Sequence, residues 1–239
     1  MIKNKKIQFL IIAFTCSLIS CNTVSEPIFG GTITDVEGNI YNTVTIGSQT
    51  WMMENLKTTH YRDSTLIPIL KDSAAWANTT SDAYCWYKND SIAYKENFGA
   101  LYNWYTVNTG KLAPKGWHVA SADEWLLLEN NISTYINKSK SIAKTIASKV
   151  LWARALNSGT VGYEPNLNNY SGFNALPGGY RLNNIHSFSK MDSIGAWWTS
   201  SQSDTIRFSW SISIANDQST IDRRAQQKWY GFSVRCIKD

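Results

Sequence analysis

A chain of 239 residues with 43% hydrophobic and 17% charged residues has the composition of a folded protein, with one large domain or two small ones. The formal net charge is +5, but three of the 23 basic residues, Lys3, Lys5 and Lys6, stand in an N-terminal segment expected to be removed. That leaves 20 basic against 18 acidic residues, a balance too even for a nucleic-acid-binding surface.

Chain order begins with a strong targeting pattern. Lys3–Lys6 precedes the apolar run Ile7–Ile19, which has signal-peptide length and falls short of the roughly 20 residues of a membrane span. Leu18-Ile19-Ser20-Cys21 resembles a lipobox, so residues 1–20 read as a signal peptide and Cys21 as the lipidated first residue of the mature chain. Acyl chains at about 0.8 kcal/mol per buried methylene then hold the protein to a membrane without a spanning helix. Asn22 is not the Asp of an inner-membrane retention signal, which points to the outer membrane. The alternative is an ordinary secretory signal with a chance Cys. Residues 21–32, with Pro27 and paired glycines, read as a tether.

From Thr32 onward the pattern is β-like. Asp35–Asn39 is a turn, Ile40–Ile46 alternates, and Gly47-Ser48-Gln49 turns into Thr50–Met53. Over Ala93–Val107, Phe98, Leu101, Tyr102 and Tyr105 recur at helical spacing and predict one helix with an aromatic face. Ser121 with Glu124 three residues on is a capping box opening a second helix, whose buried stripe is Trp125, Leu128 and Ile132. A short third helix is predicted within Lys140–Val150. Residues 157–179 are rich in Gly, Asn, Ser and Pro and read as a long loop region. Strand patterns return at Gly195–Ser201, Phe208–Ile214 and Gly231–Ile237. Strands at both ends with helices between predict a single α+β domain whose termini meet in a sheet.

With Cys16 removed and Cys21 acylated, Cys85 and Cys236 remain. In an oxidising compartment they form a candidate disulfide; the alternative is two separate buried thiols. Trp197, Trp198, Trp210, Trp229 and Tyr230 are a candidate ligand-stacking platform, against the plainer reading of core aromatics. His60, His118 and His186 lack metal-ligand spacing. Five of eleven Asp residues start an Asp-Ser or Asp-Thr triplet, at Ser64, Ser73, Ser91, Ser193 and Thr205. These resemble the O-glycosylation sequon of exported Bacteroidetes proteins, although Asp-Ser also simply marks turns.

Several blocks together resemble one family. Asp35–Tyr41, Gln49-Thr50-Trp51-Met52-Met53-Glu54-Asn55-Leu56, Tyr84-Cys85-Trp86-Tyr87, Gly99–Trp104, Gly116-Trp117-His118-Val119, Ala175–Arg181, Trp197-Trp198 and Gly231–Cys236 are similar to the Fibrobacter succinogenes major paralogous domain, here over residues 33–239. That resemblance implies a C-type lectin-like fold, shared with sulfatase-modifying enzymes: a twisted antiparallel sheet, two to three helices and a long irregular loop region. It does not imply an activity. The cysteine pair of the formylglycine-generating enzymes is not matched, since Cys236 stands alone near the C-terminus. Glu164-Pro165-Asn166 matches the calcium triplet of C-type lectins, but the accompanying Trp-Asn-Asp is replaced by Ala215-Asn216-Asp217. The expectation is therefore a non-enzymatic, membrane-anchored binding or adhesion module, without metal or cofactor. Its ligand is a glycan, peptide or partner protein taken through residues 157–190. An enzyme (hydrolase or oxidase) on the same scaffold and a structural envelope component are the alternatives.

Overall fold

The structure is a computed structural model that describes residues 28–135, 141–182 and 188–239. The expected signal peptide, Cys21 and His186 lie outside the described residues. Strand β1 (Ile28–Thr34) pairs antiparallel with β2 (Ile40–Ile46). Between them the Asp35 carboxylate accepts from the backbone N–H of Glu37 and of Asn39, each at 3.0 Å, and Gly38 takes the positive φ of 82° that closes the turn. Tether was expected to run to residue 32, yet β1 already pairs at Ile28. The paired glycines that suggested a linker sit instead in a bulge between Phe29 and Thr32.

After β3 (Gln49–Met52) come α1 (Ser73–Asn78), β4 (Tyr84–Cys85), α2 (Ser91–Phe98), β5 (Leu101–Tyr102) and α3 (Trp104–Asn108). The single aromatic helix expected over Ala93–Val107 is thus three elements. Its break is Gly99, at φ 72°, where an added Cβ would come within 2.6 Å of the Leu56 carbonyl. Ala100 N–H bonds that same carbonyl at 3.0 Å, which draws the chain into β5. Asn103 then caps α3 by accepting from Thr106 N–H at 3.1 Å.

Following β6 (Trp117–Val119), helix α4 (Ala122–Tyr135) starts as the capping box predicts. Glu124 N–H donates to Ser121 Oγ at 3.2 Å, and Ser121 N–H donates to Glu124 Oε2 at 2.7 Å. Trp125, Leu128 and Ile132 are fully buried, as their spacing requires. Helix α5 (Ile142–Ile146) is capped by Ser141. The remaining strands are β7 (Gly178–Arg181), β8 (Phe188–Met191), β9 (Ile194–Gln202), β10 (Phe208–Ala215), β11 (Asp222–Gln227), β12 (Ser233–Val234) and β13 (Cys236–Lys238).

One sheet has the order β1-β2-β3-β13-β6, so the C-terminal strand closes against the N-terminal meander as expected. A second runs β11-β10-β9-β7-β8, with β12 parallel to β9. The chain changes sheets at Arg235, between β12 and β13. Arg235 and Arg181 are both fully buried. Arg235 donates to the carbonyls of Met52 and Phe173, each at 2.8 Å, and to Asn55 Oδ1 at 3.1 Å. Arg181 donates to the carbonyls of Leu70 and Lys71 at 2.6 and 2.9 Å and lies 4.4 Å from the Trp76 ring. Each guanidinium ties loop backbone to a sheet, where a carbonyl without a donor would cost about 1–3 kcal/mol.

His118 of β6 joins three parts of the fold. Its Nε2 meets Glu124 Oε1 and its Nδ1 meets Asp239 Oδ1, both at 2.7 Å, linking β6 to the start of α4 and to the end of the chain. Burial alone would lower the His118 pKa, but the hydrogen bonds and charges of Asp239 and Glu124 prevail and raise it above 6.5. Burial likewise opposes ionisation of Glu124, yet its bonds to Ser121 and His118 bring it below 4.5. The His118 contribution is therefore complete below pH 6.5 and lost as pH rises through the raised value. That of Glu124 is present above pH 4.5 and lost as pH falls through its lowered value. The His118 side chain is 42% exposed, so solvent screening keeps the effect under about 1 kcal/mol. His118→Gln is expected to lower the melting temperature at pH 6 and to change it little at pH 9. An equal loss at both values would show that the imidazolium contributes nothing.

Candidate functional site

The second sheet has two unlike faces, set by strand alternation. On β10, Phe208, Trp210, Ile212 and Ile214 share one side and Ser209, Ser211, Ser213 and Ala215 the other. Antiparallel register places Ile212 opposite Trp197 and Ser213 opposite Ala196. Trp197, Ile212 and Ile214 enter the core with Trp51, Trp125 and Phe173. The other side opens as a groove of about 630 Å³, within the roughly 300–1,000 Å³ of small-ligand sites.

Its floor is made of small side chains, Ala196, Ser211, Ser213 and Ala215, with Ile194 beside them. One wall is aromatic: Tyr180 and Tyr230 set their rings edge-on to Phe232, at centroid distances of 5.9 and 6.0 Å, and Trp198 backs Phe232 at 4.6 Å. The opposite wall is β11, whose Asp222, Arg224 and Gln226 alternate onto the groove side. Arg224 Nε pairs with Asp222 Oδ2 at 2.6 Å, while Ser211 Oγ donates to the Arg224 carbonyl at 3.1 Å. Burial pushes the Tyr180 hydroxyl pKa up, so it is a neutral hydrogen-bonding group at physiological pH.

The five aromatic candidates separate. Trp197 and Trp198 are fully buried and cannot be a surface platform; Trp197 Nε1 is spent on Asn55 Oδ1 at 2.8 Å and Trp198 Nε1 on the Tyr102 carbonyl at 2.9 Å. Trp210 is 38% exposed but points to the side of β10 away from the groove. Trp229 is half-buried and is not among the groove-lining residues. Only Tyr230 of the five lines it. Sequence reasoning missed Tyr180, Phe232 and the whole of β11. The first two stood in the Gly-Gly-Tyr-Arg and Gly-Phe-Ser-Val-Arg blocks, where a signal was available. The segment Asp222–Gln227 carries no apolar period and gave none.

The expected Cys85–Cys236 bridge is not formed: both are buried free thiols. Alternation on β4 explains this, because Tyr84 faces the cluster that holds Cys236 while Cys85 faces a separate one with Trp76 and Leu101. Burial pushes the Cys85 thiol up to about 11, against the lowering effect of Arg181, and raises that of Cys236 further. Neither is a reactive thiolate at neutral pH.

Glu164-Pro165-Asn166 lies nearer to Asn216 than expected, since Gly162 N–H bonds the Asn216 carbonyl at 2.7 Å. The segment is nevertheless organised around an ammonium. Lys144 Nζ donates to the carbonyls of Thr160 and Tyr163, at 3.2 and 2.5 Å, and the Asn216 side chain turns to the Ala153 carbonyl at 3.3 Å. Among the described residues no group of three His, Cys, Asp or Glu side chains is gathered for a metal ion. His60 Nδ1 meets Glu37 Oε1 at 2.5 Å, and the same oxygen accepts from Thr59 N–H at 2.9 Å, fastening the β1–β2 turn to the following segment.

Of the five sequon positions, Ser64, Ser91 and Thr205 are exposed, and Ser73 and Ser193 half-buried. Several of the preceding Asp residues have local work. Asp72 caps α1 through Ala75 N–H at 2.8 Å, Asp90 caps α2 through Ala93 N–H at 3.0 Å, and Asp63 accepts from Thr65 N–H at 3.1 Å.

No curated protein and no solved structure matches the chain. A family model does: residues 44–238 match the Fibrobacter succinogenes major domain, from within β2 to the last residue of β13 and with the whole groove included. The chain belongs to the Fibrobacter succinogenes major domain family.

Proposed function

We propose that this protein is a membrane-anchored, extracytoplasmic binding module with no catalytic step of its own, and that its ligand seats in the groove over β9, β10 and β11. The observation that carries the reading is the groove itself: a floor of small side chains between an aromatic wall and a polar one. Among the described residues its lining holds no histidine, cysteine or lysine to activate the Ser211 or Ser213 hydroxyl, and the Asp222 carboxylate is engaged by Arg224. Tyr180 and Leu182 come from the 157–190 region named from the sequence, so the site moves from the loop onto the sheet beside it. The fold is proposed to be C-type lectin-like, in keeping with terminal strands in one sheet, a second curled sheet and the irregular stretch between α5 and β7.

Ser213→Trp tests the site, because an indole on the open side of β10 fills the floor. Against a mixed panel of oligosaccharides and peptides, whichever ligand the wild type binds should be lost by at least tenfold. Undiminished binding by a folded variant would place the site elsewhere.

Anchoring is proposed to rest on Cys21, since no helix among the described residues is long and apolar enough to cross a membrane. Cys21→Ala is expected to move the protein from the outer-membrane fraction to the soluble one. Retention through a high-salt wash would overturn the lipoprotein reading.

A further inference from the structure

We infer that the ligand of this groove is a neutral glycan; the inference rests on the binding reading above and adds the ligand's chemistry. Charge comes first. The lining carries the carboxylates of Asp217 and Asp222 and one guanidinium, Arg224, and Arg224 is paired with Asp222. Among the described residues no uncompensated cation lines the groove to select an anion, and their residual single negative charge is too little to hold a cationic ligand against screening.

Backbone availability comes second. An extended peptide is captured by main-chain bonds at an open sheet edge. Here β10 is bonded along both sides, to β9 and to β11. Strand β9 is bonded to β10 on one side and to β7 and β12 on the other. The floor therefore offers a ligand side chains and no free ladder; the open edge on this side of the sheet is the outer side of β11, turned away from the floor. What it offers are hydroxyls (Ser213, Tyr180, Tyr230) and, in a row on β11, a carboxylate, a guanidinium and a carboxamide (Asp222, Arg224, Gln226). Planar, multidentate groups of this kind bond vicinal hydroxyl pairs. Across from them, the Tyr180 and Tyr230 rings supply an apolar surface for the C–H face of a sugar ring. One face apolar and an edge lined with hydroxyls is the description of a pyranose.

The full-length protein in detergent is titrated with neutral gluco-, xylo-, manno- and galacto-configured hexasaccharides, with polygalacturonate, and with a dodecapeptide library, each to roughly millimolar concentration. The expected result is a neutral hexasaccharide bound in the micromolar to millimolar range, insensitive to salt. Tyr230→Ala and Arg224→Gln should each weaken it at least tenfold, with the melting temperature of each variant confirming the fold. If peptides bind, the neutral sugars do not, and Ser213→Trp abolishes peptide binding, the groove reading stands and the glycan inference falls. Preference for polygalacturonate overturns it equally. If nothing in the panel binds, or Ser213→Trp leaves binding unchanged, both fall.

Discussion

Arg235→Met is expected to destabilise the protein by about 3 kcal/mol or more, a large share of the roughly 5–15 kcal/mol that holds a typical domain folded. The guanidinium is fully buried, and burial brings its pKa down to about 10, so it remains charged at neutral pH. Exchanging a buried ion pair for apolar groups is often harmless, because both charges leave together. Arg235 differs in having backbone for partners. The Met52, Phe173 and Asn174 carbonyls stay in place when the side chain goes, each losing a donor at about 1–3 kcal/mol. The Phe173 ring, 4.6 Å from the guanidinium, loses its cation as well. Arg235→Lys keeps the charge without the planar fork, and its loss should be smaller. Urea denaturation measures both; a loss under about 1 kcal/mol for the Met variant would show that these carbonyls find other donors.

Trp197→Ala should cost about 3–5 kcal/mol, as large-to-small changes of buried aromatics do, whereas Trp210→Ala should cost less than about 1 kcal/mol. The two residues are near neighbours on paired strands, so the contrast isolates burial. Trp197 is fully enclosed, with the Trp125 ring 5.8 Å away, and its indole N–H holds Asn55 Oδ1. That oxygen also accepts from Arg235, and the Asn55 amide donates to the Phe98 carbonyl at 2.9 Å and to Ser233 Oγ at 3.2 Å. Trp197 and Arg235 thus share one acceptor, and their double mutant is expected to lose less than the sum of the single losses. Equal stability of the two tryptophan variants would return Trp197 to the list of surface aromatics.

Local rules were enough wherever one period ran without interruption. The Ser121–Glu124 box started α4 and its 3.6-residue stripe buried Trp125, Leu128 and Ile132, because a helix start is decided by residues three positions apart. Alternation over Phe208–Ile214 likewise named the strand that the structure shows as Phe208–Ala215. The meeting of the two ends in a sheet was legible from strand patterns at both termini, and family membership from blocks spread over most of the chain.

Tertiary structure decided what depends on residues distant in sequence. The aromatic spacing across Ala93–Val107 was helical, but Leu56, more than forty positions earlier, took the Ala100 N–H and broke it. A fully buried Trp197 and a 38% exposed Trp210 are equivalent in composition and lie on the same side of the sheet, and only the cover given by Trp125 of α4, 5.8 Å from Trp197, separates them. Cys85 and Cys236 were paired by elimination, yet alternation on a two-residue strand turned one thiol away from the other. The groove is the clearest case. Its polar wall comes from Asp222–Gln227, which has no hydrophobic period because its ladder bonds to β10 hold it in place and its outward side chains remain in water. A strand of that kind is recognised by its neighbour, and the binding surface it completes exists only once β9, β10 and β11 lie side by side.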